Sequence, residues 1–239
     1  IGEMYFLRGH FYFILKTIFG HIPFVDENTP DSAYETTPNT LPNDEQWQKI
    51  AADFKKAYDL LPATQAQKGR ATKAAAAAYL AKAYLYKAYR QSENNSVTGI
   101  DSQDLQEVLT YTSAVLGSAY GLEDDFAFNF LPGGYENGKE SLFAVQYSVD
   151  DGTQYGSLNW GDVLSTPQKL GCCDFHKPSQ NLVNAFKTVN GLPDFDNFNN
   201  NDYNAANDKA DPRLFHTVAL PGLPYKYNTE LIYKNDWNR

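Results

Sequence analysis

Hydrophobic positions near the start of the chain fall at Met4, Leu7, Phe11, Ile14, Leu15 and Ile18, the three-and-four spacing of a helix. No Ser, Thr, Asp or Asn precedes them as a cap. Gly20 is placed to end the helix, and Pro23 blocks its continuation. A helix this aromatic needs cover, and part of that cover is expected upstream. The sequence therefore reads as a piece of a longer protein.

A second helix is predicted from Asp44, with Asn43 as its cap and Gln46 reaching back in a capping box. Its apolar side is Trp47, Ile50, Ala51, Phe54, Ala57, Tyr58 and Leu61, and Pro62 stops it. Thr72 caps a third helix running to about Tyr89, where residues 74–78 are all Ala and permit close helix approach. A fourth begins near Asp101 or Ser102 and is expected to bury Leu105, Val108, Leu109, Thr112 and Leu116 before Gly117. Helix pairs rich in Ala and Tyr predict tetratricopeptide-like hairpins. The plain use of such hairpins is a scaffold that buries core and offers a face to a neighbour.

After Tyr120 the pattern changes, with Gly, Asn, Asp and Pro frequent and only short ordered pieces expected. Residues 141–147 alternate as a strand would, and 179–186 suit a short helix. Asp211-Pro212-Arg213 reads as a turn into a strand over 214–220. The fold class is thus mainly α, with a few short strands. Residues 1–120 form a helical-hairpin scaffold and 121–239 a loop-rich region expected to bind ligand, because loops this long are usually functional.

Composition narrows the partners. A formal charge of -9 and a pI near 4.9 argue against nucleic acid and anionic membrane, which favour basic patches. Lys16 and Lys82 interrupt the best candidates for a membrane span. The two cysteines, Cys172 and Cys173, are adjacent. A disulfide between neighbours closes a strained ring, so two small buried thiols are expected, and nothing supplies the further ligands of a zinc site.

Catalytic templates are missing from the sequence. His10, His21, His176 and His216 show no metalloprotease spacing, and neither a nucleophile elbow nor a phosphate-cradling Gly loop is present. His10 is expected in the core. Asp124-Asp125 and Asp150-Asp151 are neighbours whose side chains point different ways, so they read as solvated loop acids rather than the opposed pair of a glycosidase. No enzyme activity, cofactor or metal is expected. The oxygen-rich run 192–203, which includes Asp194 and Asp202, has the atoms for calcium. It lacks the Gly and terminal Glu of an EF-hand, and a loop of Asx turns is the expectation.

Segment 150–176 is richer chemically. It mixes Tyr155, Trp160 and Phe175 with Gln154, Asn159 and Asp162 among several Gly. A sugar presents an apolar C–H face and a rim of hydroxyls, which suits flat aromatic platforms flanked by amides and carboxylates. The same residues also suit a hydrophobic cluster that pins a long loop, and on the residues alone the two readings stand level.

An ordered set of short motifs resembles the SusD/RagB proteins, glycan-binding lipoproteins of Bacteroidetes cell surfaces. The set opens with Glu3, Leu7-Arg8, Tyr12-Phe13, Phe19-Gly20 and Pro23, then Arg70-Ala71-Thr72-Lys73 leading into Leu80-Ala81 and Tyr84-Leu85. It continues through Tyr120-Gly121-Leu122, Asn137, Glu140-Ser141 and Phe143. Gly171-Cys172-Cys173, Gly191-Leu192-Pro193, Asp211-Pro212-Arg213-Leu214 and Pro221-Gly222 complete it. The resemblance implies a non-catalytic lid on a SusC-like TonB-dependent transporter that captures oligosaccharide and delivers it to the barrel. Helical hairpins would face the transporter and aromatic loops the sugar. Attachment to the outer membrane would come through an N-terminal lipid absent from this chain. Tyr155 and Trp160 are expected to stack on sugar, Gln154 and Asn159 to bond its hydroxyls, and Phe175, Asn28 and Arg8 to border the site. Some members handle peptides, so a peptide-binding lid and a helical-repeat interaction module stay open as alternatives.

Overall fold

A computed structural model describes residues 1–92, 94–131, 133–148, 152, 164–171 and 173–237. The chain divides into two compact units, Ile1–Gln146 and Tyr147–Arg239. The first is built on four helices: α1 (Gly2–Phe19), α2 (Asn43–Leu60), α3 (Lys73–Ala88) and α4 (Ser102–Leu116). Each packs chiefly on the next in sequence, as in helical hairpins laid side by side. A short ribbon, β1 (Tyr89–Gln91) with β2 (Val97–Ile100), joins α3 to α4.

Local chemistry sets the helix ends. Thr72 Oγ1 accepts the Ala75 N–H at 3.3 Å, and Asp101 Oδ1 accepts those of Gln103 and Asp104 at 2.9 and 3.0 Å. The capping box expected at α2 does not form: Pro42 stands at the cap, with no side-chain bond. Gln46 is instead fully buried, its Oε1 accepting from Ile22 N and Lys16 Nζ while its Nε2 donates to Leu41 O. A buried amide needs such partners, and these lie outside α2.

The core of this unit is Phe6, Phe13, Trp47, Ile50, Phe54 and Leu80 over the small residues of α3. On α1 the buried side is Gly2, Phe6, Gly9, Phe13 and Lys16, whereas Met4, Phe11 and Ile18 are 67%, 60% and 66% exposed. The expected apolar side is therefore the outward one. Gly9 decides this, because a Cβ there would sit 3.0 Å from Phe54 Cε1, and only a bare backbone lets α1 approach α2 so closely. On α4 the expected face is also displaced, with Tyr111 and Asp104 buried and Leu109 and Leu116 exposed.

Segment 121–146 continues the first unit without forming the strand expected over 141–147. Phe143 packs edge-on to Phe6, with ring centres 4.8 Å apart.

The second unit holds a short helix α5 (Gln180–Ala185), capped by Ser179, and a sheet in which β3 (Lys187–Val189) pairs with β4 (Leu192–Pro193) and β5 (Lys209–Ala210). The strand expected over 214–220 is a helical turn, α6 (Leu214–Thr217). Leu214 and Val218 both enter the small core around Val183, a spacing that strand and helix both satisfy. The Val218 N–H closes a helical turn on Leu214 O at 2.9 Å. A hairpin of β6 (Pro224–Tyr225) and β7 (Asn228–Ile232) follows. Among the described residues no helix is long and apolar enough to cross a membrane.

Candidate functional site

Loop 23–28 is fastened to α1 by Tyr12, whose hydroxyl donates to Val25 O and accepts from Val25 N, both at 2.8 Å. Phe24 stacks on the Tyr12 ring at 4.2 Å. This places Glu27 beside Arg8, where the guanidinium donates through Nε and Nη2 to Asp53 at 2.7 Å each and through Nη1 to Glu27. The Asp53 side chain is only 5% exposed, so the bidentate pair neutralises a buried carboxylate. The Glu27 carboxyl is pulled down to about 2, chiefly by the hydrogen bond from Arg8. Three of the five guanidinium N–H bonds are engaged, which leaves two for a ligand. Asn28 is exposed next to them, its backbone N–H held by Asp26 Oδ1 at 2.9 Å.

Phe175 belongs to the second unit and is 59% exposed, its backbone N–H bonded to Leu164 O at 2.9 Å. Gln154, Tyr155, Asn159 and Trp160 lie outside the described residues. Cys173 is disulfide-bonded, which corrects the expectation of a free thiol there. Cys172 lies outside the described residues.

The oxygen-rich run 192–203 folds through its own side chains. Asp194 Oδ1 accepts from Asn197 N at 3.1 Å, and buried Asn184 ties the run down through Asn199 and the Tyr203 N–H. These are the Asx-type contacts expected of a polar loop. Among the described residues no three His, Cys, Asp or Glu converge as a metal site would require. His10 sits among Phe6, Phe11, Tyr79 and Phe143, with Nδ1 buried. Burial, with the nearby Lys82 charge, lowers its pKa and keeps the ring neutral near pH 7.

A cavity of about 540 Å³ opens in the first unit between loop 63–70, the start of α3, the end of α4 and segment 137–144. Tyr58, Tyr120 and Phe143 give it aromatic surface, and Thr72 Oγ1 lies 3.4 Å from the Tyr120 hydroxyl. One side is braced by an amide pair in which Asn137 and Gln146 exchange two bonds of 2.9 Å. Loop 63–70 meets that brace at Gly69, which has φ +79; a Cβ there would come 2.7 Å from Gln146 Cγ. Sequence reasoning passed over this place. Its signal was 63–73, ATQAQKGRATK, which holds Lys68, Arg70 and Lys73 and no carboxylate in an otherwise acidic chain.

Known proteins bear on both ends of the chain. Residues 1–85 match a family described as SusD-like, starch-binding associating with outer membrane, and residues 139–238 match the SusD family. SusD-like protein P2 of Formosa agariphila is 35% identical over 78 residues, covering 33% of this chain and 15% of that protein. The crystal structure of a SusD-like protein from Bacteroides fragilis superposes with a TM-score of 0.67 at 23% identity, over 92% of this chain and 43% of that one. A SusD superfamily protein from Bacteroides vulgatus gives a TM-score of 0.44 at 27% identity, over 61% of this chain and 28% of its own. The mainly α fold, with its few short strands, is that of the SusD-like protein from Bacteroides fragilis. The chain belongs to the SusD/RagB family. It spans less than half the length of these relatives. Members of the family are generally non-catalytic, outer-membrane-associated proteins that bind glycans.

Proposed function

We propose that this chain is the glycan-capturing part of a lipid-anchored cell-surface protein, which binds oligosaccharide without cleaving it and delivers it to a SusC-like TonB-dependent transporter. The observation that carries this reading is the match of residues 1–85 to a SusD-like family described as starch-binding and associating with the outer membrane, together with the match of residues 139–238 to the SusD family. In this reading Tyr155 and Trp160 stack on the sugar and Gln154 and Asn159 bond its hydroxyls, with Phe175 adding an exposed ring. Asn28 and the two unused N–H bonds of Arg8 are secondary contacts. Shallow platforms hold each sugar weakly, so affinity grows with chain length as more contacts offset one ordering cost.

Titration calorimetry against plant, host-mucin and microbial oligosaccharides tests the reading. One class is expected to bind, more tightly as it lengthens, and Trp160→Ala is expected to weaken it about tenfold. Unchanged affinity in Trp160→Ala removes that residue from the site. Silence across the panel, with the protein folded, favours peptide cargo or a structural lid.

A further inference from the structure

The cavity in the first unit has cations in its wall and no carboxylate: Lys68, Arg70, Lys73 and Lys139 line it, without an Asp or Glu. Arg70 is matched by Glu3 and Lys139 by Asp124, both acids standing outside the wall. Lys68 and Lys73 have no ion-pair partner among the described residues. Lys73 Nζ rests 4.7 Å from the Tyr58 ring centre, a contact that leaves its N–H bonds available. Two uncompensated cations in a concave, partly aromatic wall are an unusual feature for a chain of net charge -9.

That net charge repels an acidic ligand at a distance, but screening over roughly 8–10 Å at ordinary salt leaves the groups inside the cavity to decide binding. Thr72 and Ser141 add hydroxyls, and Asn137 an amide, to the same wall. The volume, about 540 Å³, is within the ordinary range for small-ligand sites. Asn137–Gln146 and Gly69 hold the surrounding segments in place before any ligand arrives.

We propose that this cavity is an oxyanion subsite, which takes an acidic sugar of an oligosaccharide through its carboxylate or sulfate ester. Lys68 and Lys73 neutralise the anion, and Tyr58 and Phe143 face the apolar side of the sugar. The sugar half of this assignment rests on the glycan reading above; the anion half rests on the cavity.

The test is calorimetry of the full chain with oligogalacturonate, its fully methyl-esterified form and a sulfated galactan oligosaccharide. At least one acidic probe is expected to bind at least tenfold more tightly than the neutral ester, with an affinity that falls as salt rises. Binding of the uronate alone assigns a carboxylate, and binding of the sulfated probe alone a sulfate ester. Lys68→Gln/Lys73→Gln is expected to abolish the preference and Lys68→Arg/Lys73→Arg to keep it. Lys68→Gln alone, a change at an exposed side chain, is expected to weaken the acidic probe severalfold and covers the case in which the double variant does not fold. Equal binding of acid and ester, unchanged acidic affinity in the Gln variants, or no binding of either acidic probe overturns the subsite. If neutral glycans still bind in a Trp160-dependent way, the capture function stands without it.

Discussion

Arg8 and Asp53 are 45 positions apart in sequence and share two hydrogen bonds of 2.7 Å. Removing the cation strands a carboxylate that has almost no access to water. Arg8→Gln is therefore expected to destabilise the protein by about 3 kcal/mol, measured as a shift of the urea midpoint, and Asp53→Asn in the same chain should recover part of it. This residue shows what a sequence withholds. Nothing within α1 reveals that carboxylates on α2 and loop 23–28 engage this cation. Gln46 is where the reading misled, since its capping-box position is genuine but its partners are Ile22, Lys16 and Leu41. The chemistry of residue types was readable; partners distant along the chain were not.

Helices were legible as elements, and less so as oriented objects. Thr72 and Asp101 cap α3 and α4 as their residue types predict. The side of α1 that faces α2 was not legible from hydrophobicity, because Gly9 and Lys16 lie on it and both count as non-apolar. Close approach selects Gly9, so Gly9→Val is expected to cost about 2 kcal/mol by pushing Phe54 aside, seen as a lower midpoint with an unchanged slope in urea. Alternation also misled in 141–147 and 214–220, where a packed Phe143 and the Leu214–Val218 pair carry the pattern without a ladder. Short apolar runs satisfy more than one period, and tertiary packing decides between them.

Across the molecule, hydrogen bonds hold several carboxyls below their ordinary range. Glu3, Asp101 and Glu140 are lowered, as are Glu27 and Asp211, the last two to about 2. The unfolded chain takes up protons first as pH falls, so these groups' contribution is fully present above about pH 4.5 and is lost progressively toward about pH 2. Urea midpoints should fall across that window, and Glu27→Gln should flatten the fall. Of the candidate sites, the sequence displayed residue types suited to a sugar at 150–176 and hid the cavity, whose walls come from four separated stretches. Only the local cluster of Lys68, Arg70 and Lys73 was visible in advance.

The outward side of α1 has a practical consequence. Met4, Phe11, Leu15 and Ile18 run along a helix of 18 residues, roughly 27 Å long, opposite the side that meets α2. An apolar stripe of that length is expected to make this chain adsorb at air–water interfaces and on plastic, which depletion of a dilute sample from an untreated vessel would reveal. Affinities measured on it at low concentration need a carrier or mild detergent, or adsorption will pass for weak binding.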